Sequence, residues 1–162
     1  MTYSLAFIKY INKEYIIQSI KTLSDSSYDL NEKLGIIARM TDILSDRNLL
    51  RDPDMQKVYP NLIHLLLDDL LYDSILVLLG KTCMLMNQLQ NILFANGIFD
   101  HLKYNKVETD VFVYSLCYLN IDLAKYYFDN IYRKEIDDEG FIAMLKEWYV
   151  KELKSCEDKP FI

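Results

Sequence analysis

From Ser4 to Leu23 the chain places Leu5, Ile8, Ile11, Tyr15, Ile16 and Ile20 mostly three or four positions apart, the stripe of an amphipathic helix. The polar run at 24–27 interrupts it. A second helix is predicted from Asp29, whose carboxylate can cap it, with Glu32 three residues on as in a capping box; Leu34, Ile37, Met40 and Leu44 form its apolar face. Residues 45–61 mix two prolines with several charges and read as a loop around a short helix. Pro60 suits a first helical turn, since its missing N–H would have had no intrahelical acceptor. The helix it opens is brief, because Asp68 and Asp69 end its apolar run.

A long helix is predicted from about Leu71 to Leu89. Ile75, Leu76, Leu78, Leu79, Cys83, Leu85 and Met86 cover more than one of its faces, which marks it as central. Gly97 then stands between two apolar clusters, 91–96 and 98–102, and predicts a left-handed corner joining two short helices. Two further helices are expected over Glu108–Asn120 and over 122–134, the second closing on Arg133 and Lys134, which suit the negative end of a helix dipole. A last helix is expected from near Asp137, with Phe141, Leu145, Trp148 and Tyr149 inward and Glu147 paired to Lys151 four residues on. The pattern predicts one all-α domain over 1–155, with the long helices at 31–45, 71–89 and 108–120 side by side, and a tail at 156–162.

Composition agrees with this reading. In 162 residues there are only four glycines and three prolines, too few for the many tight turns of a β-sandwich. A formal net charge of −6 disfavours a free-standing nucleic-acid binder and leaves only local basic patches, Lys9/Lys13 and Arg133/Lys134. Cys83, Cys117 and Cys156 are odd in number with no Cys-x-x-Cys pair, as expected of reduced residues in a cytoplasmic protein. The N-terminal residues lack a basic leader and apolar run, so no secretory signal is expected. The most apolar stretch, 70–86, carries Asp73 and Lys81 and is short for a membrane span.

Little in the chain points to catalysis. Gly80-Lys81-Thr82 has the ending of a phosphate-binding loop, but Ile75 stands where that loop needs its first glycine. His64 and His101 lack metal-ligand spacing; His64 is expected to be partly buried and His101 on the surface. Asp68, Asp69 and Asp73, and the run 137–139, fit solvated helix ends better than a calcium loop. No enzyme activity, metal, cofactor or small-molecule substrate is expected. Tyrosines are dense in the C-terminal half, and tyrosine is favoured at protein interfaces for its area and polar tip. The expected partner-binding residues are Tyr126, Tyr127, Tyr132, Arg133, Lys134, Trp148, Phe161 and Ile162.

The predicted long helices start 40 and then 37 residues apart, each after a shorter helix, and residues 59–87 and 91–120 resemble successive armadillo or HEAT repeats. The resemblance spans 29–120 and implies about three degenerate repeats of stacked helical hairpins or triplets. It lacks the Trp/Asn ladder of importin-type receptors. It implies a non-catalytic adaptor docked on a large assembly, with a ribosome-associated hibernation factor as the specific expectation and the basic patches as its rRNA contacts. The size, helix count and Ile/Tyr/Asp-rich style are also similar to compact Bcl-like bundles of poxviral inhibitors, which implies instead a helical inhibitor of host apoptosis or immune signalling.

Overall fold

The computed structural model describes residues 4–103, 106–130, 139–140, 143–148 and 150–151, and the described residues are helical with no strand. The first helix, α1, covers Leu5–Leu23 and is capped by Ser4, whose side chain accepts from the Phe7 N–H. α2 covers Leu30–Ile43, with Asp29 accepting from the Glu32 N–H as its sequence requires. The proline-containing stretch forms two short helices, α3 at Arg47–Leu50 and α4 at Pro53–Gln56, each opened by an aspartate cap, Asp46 and Asp52. α5 at Tyr59–His64 carries Pro60 in its first turn and tightens into a 3-10 turn at Leu65–Leu67, beyond which Asp68 is extended.

The central helix, α6, covers Tyr72–Leu85, four residues short of the predicted end. Met86 breaks it by adopting an extended conformation (φ −146°, ψ 97°), and α7 restarts at Leu89–Ala95. No glycine or proline marks this break, and Met86 and Leu89 are both buried, so the apolar pattern runs through it without a change of phase. The corner at Gly97 is as predicted: φ is +70°, and α8 at Ile98–His101 follows directly. An added Cβ there would also meet the Asp100 carboxylate at 3.3 Å. α9 covers Val107–Leu119 and α10 Ile121–Asn130, with Asn120 accepting from the Leu123 N–H between them.

The long helices pack in chain order, α1 on α2, α2 on α6, α6 on α9 and α9 on α10. α2 and α9 flank α6 without a comparable contact between themselves, while α5, α7 and α8 pack on one another as a second layer. The core joins both layers through fully buried Tyr59, Tyr72, Phe99, Ile16, Ile37 and Leu62.

Candidate functional site

The outer face of α6 departs from its buried remainder at Val77, Lys81 and Met84, three and four residues apart and all exposed. Beside it α9 exposes Val107, Val111 and Tyr114, with Val111 60% accessible and Tyr114 70%. The two helices meet at Gly80, where an added Cβ would stand in van der Waals contact with the Phe112 ring at 3.4 Å. Between them lies a depression of about 360 Å³ floored by Leu76, Gly80 and Phe112 and rimmed by Val77, Met84 and Val111. A second depression of about 380 Å³ separates α2 from α6, bordered by Ala38, Asp42, Asp73 and Val77. Lys81, Val77 and Glu108 belong to both, so the two form one channelled face across α2, α6 and α9.

A third cleft, of about 460 Å³, opens where α6 ends. It is bordered by Arg47, Arg51, Gln56, Met84, Asn87 and Gln88, and Met84 makes it continuous with the α6–α9 groove. Lys81, Arg47 and Arg51 form no ion pair among the described residues.

The opposite end of the groove is fixed by Tyr72, which is fully buried. Its hydroxyl accepts from the Lys103 N–H at 2.9 Å and lies 2.6 Å from the Thr109 hydroxyl, tying α6 to α9 and to the segment before it. Lys103 and Lys106 lie over its ring, 4.7 and 5.0 Å from the centroid. Their ammonium groups pair with Asp69 and Asp73, and Lys103 holds the Asp69 carboxyl below its ordinary range.

Several expected contact residues are placed elsewhere. Trp148 is 4% exposed and meets the Phe94 and Phe99 rings edge-on at 5.3 and 6.5 Å, so it is core and not a contact for a partner. Lys146, two residues before it, pairs with Asp100 at 3.3 Å. Tyr126 is half-buried with the Lys151 ammonium 5.8 Å from its ring centroid, and Tyr127 lies on α10. Tyr132, Arg133, Lys134, Phe161 and Ile162 lie outside the described residues. The Lys9/Lys13 patch is engaged internally: Lys9 pairs with Asp52, and Lys13 with both Asp52 and Asp54, at 2.8–3.2 Å.

The histidines exchange their expected places, His64 being exposed and His101 partly buried with Nδ1 3.0 Å from the Gly97 carbonyl oxygen. Gly80, Lys81 and Thr82 sit inside α6; Thr82 donates to the Leu79 carbonyl, and the intrahelical bonds leave no loop of free N–H groups to cradle a phosphate. Burial pushes the Cys83 and Cys117 thiols up to about 12, which keeps them protonated and poor nucleophiles. No three His, Cys, Asp or Glu side chains come together in metal-binding range among the described residues.

Sequence reasoning missed Val77, Met84 and Val111 because their helices are apolar on several faces, so nothing in the period separates an outward valine from an inward leucine. Arg47 and Arg51 carried a readable signal, their spacing of four with Asp46 and Asp52 beside them; those carboxylates cap α3 and α4 instead. Compared with protein-family models, curated proteins and solved structures, the chain has no match.

Proposed function

We propose that this chain is a non-catalytic protein-binding adaptor that docks through the face shared by α2, α6 and α9. The observation that carries the reading is the walled apolar groove between α6 and α9, where Val77, Met84 and Val111 are exposed around a floor already shaped by Gly80 and Phe112. Contiguous exposed apolar surface of this kind marks interaction sites, and a groove between two helices suits an apolar segment of a partner. The packing of long helices in chain order, with α2 and α9 kept apart by α6, supports an armadillo-like stack over a compact Bcl-like bundle.

For the assembly, the ribosome suits an acidic chain in the cytoplasm, because basic ribosomal proteins would meet a surface of net charge −6. Phosphate contact through Lys9 and Lys13 has little to support it, since Asp52 and Asp54 already neutralise both. Protein contact is therefore the leading part of the proposal. No helix among the described residues is long and apolar enough to cross a membrane.

The test is a photo-crosslinking amino acid placed at Val111, with a second placement at Lys57 as control, followed by gradient sedimentation with ribosomes. The adaptor reading expects discrete protein crosslinks from Val111 that the Lys57 position lacks. Identical crosslinks from both positions, or none from Val111, would refute it. Crosslinks without co-sedimentation would remove the ribosome and keep the adaptor.

A further inference from the structure

The groove is not chemically uniform along its length. At the end of α6 the cleft presents two guanidinium groups, Arg47 and Arg51, with the amides of Asn87 and Gln88 and of Gln56, which donates to the Leu50 carbonyl, around them, and no carboxylate borders it among the described residues. In a chain of net charge −6, this is a local concentration of hydrogen-bond donors and positive charge. The donors are side chains, since the first-turn N–H groups of Leu89, Gln90 and Asn91 already bond the carbonyls of Met86, Asn87 and Gln88. Two arginines without an ion-pair partner among the described residues, facing one polar cleft, fit a carboxylate held in forked, charge-assisted hydrogen bonds. At the other end of the groove carboxylates outnumber cations, Asp42, Asp73 and Glu108 against Lys81 and the Lys106 paired to Asp73. Met84 and Val111, with the Lys81 side chain between Val77 and Met84, join the two ends through a mainly apolar middle.

Resting on the docking role proposed above, we infer that the occupant is an amphipathic helix of a protein partner, acidic in its first turn, apolar along one stripe and basic in its last turn, lying antiparallel to α6. Charge complementarity sets its direction. Acidic residues are favoured in the first turn of a helix and basic ones in the last, so the first turn meets Arg47 and Arg51 and the last meets Glu108. Length agrees, because the 14 residues of α6 rise about 21 Å, which four turns of a partner helix span. Residues spaced by three and four on its apolar stripe then fall against Met84, Val111 and Val77 in turn.

The experiment is selection of displayed random peptides of about 16 residues, a length that spans the groove, against the intact chain. Affinities of the selected peptides are then measured for the chain and its variants. The expected result is enrichment of helices with acid before the apolar stripe and base after it. Their affinity should fall at least about tenfold in the Arg47→Ala/Arg51→Ala double variant, where charge-assisted bonds are lost, and should weaken with added salt. A peptide with its two terminal charge clusters exchanged should bind no better than a scrambled one. Circular dichroism and a melting curve on each variant separate lost binding from lost folding. Selected peptides that are displaced by Val111→Arg but indifferent to the arginine variant would overturn the acidic anchor and leave the docking groove standing. Peptides indifferent to both variants, or no enrichment at all, would overturn the groove as well. Inorganic phosphate that displaces the peptides at equal concentration to the peptide carboxylates would show a phosphate pocket instead, and that too would overturn the helix.

Discussion

The first half of α1 and the face of α6 and α9 are both apolar and open to solvent, and they differ in what surrounds them. The first half of α1 exposes Leu5, Ile8 and Ile11, Leu5 to 86%, on a convex helix whose apolar residues are buried only from Ile16 onward. Its cations are committed, Lys9 and Lys13 being held against Asp52 and Asp54. The face of α6 and α9 also exposes aliphatic side chains, but Val77, Met84 and Val111 rim a depression, and Lys81, Arg47 and Arg51 beside it form no ion pair among the described residues. Exposure alone therefore does not distinguish a docking face. Concavity lowers the number of partner atoms needed to exclude water, and uncommitted charge supplies direction and specificity.

The largest effect is expected outside both surfaces. Trp148→Ala should destabilise the fold by about 3–5 kcal/mol, the range for a large buried aromatic, because the ring packs edge-on against both Phe94 and Phe99. Chemical denaturation measures this, and an unchanged midpoint with weakened partner binding would return Trp148 to the interface. Within the comparison, Val111→Arg should abolish binding of a selected peptide while Ile8→Arg leaves it intact, and both should keep the melting temperature because both side chains are exposed. Reversal of that order would make α1 the docking face.

A smaller effect is expected at the corner that sets α8 against α7. Gly97→Val places a branched side chain at φ +70°, at a cost of about 1–2 kcal/mol. A melting temperature no lower than that of the parent chain would contradict the strained corner.

The smallest effect sharpens the contrast in charge. The backbone N–H of Asp54 and the Lys13 ammonium lower the Asp52 carboxyl to about 2, so its ionised form is favoured by folding. Its contribution is fully present above the unfolded value of about 4 and is lost as pH falls from there through about 2. Asp52→Asn should flatten that acid limb of stability and leave the profile above pH 5 parallel to the parent, as acid titration followed by circular dichroism would measure. An unaltered acid limb would mean that the α1–α4 ion pairs do not hold in solution.

The helices were legible where a polar residue or a glycine punctuates them. Asp29 and Gly97 each have a local chemical role that the sequence states outright, a cap acceptor and a left-handed corner. The end of α6 was illegible because Met86 is apolar, buried and unremarkable in type, and nothing in its neighbours' sequence marks the extended backbone it adopts. The site was largely hidden for the same reason. On a helix that is apolar all round, outward Val77 and inward Leu78 differ only in which neighbours the fold supplies. Tyrosine density marks the C-terminal half, whereas the groove floor brings together Gly80 and Phe112, a pairing 32 residues apart that no local pattern contains.

The most direct test of the account is hydrogen–deuterium exchange of the intact chain with and without a selected peptide. Docking in the groove predicts added protection concentrated in α6 and α9, extending to the Arg47–Arg51 segment, with α1 exchanging as before. Protection centred on the first half of α1, with α6 and α9 unchanged, would contradict it.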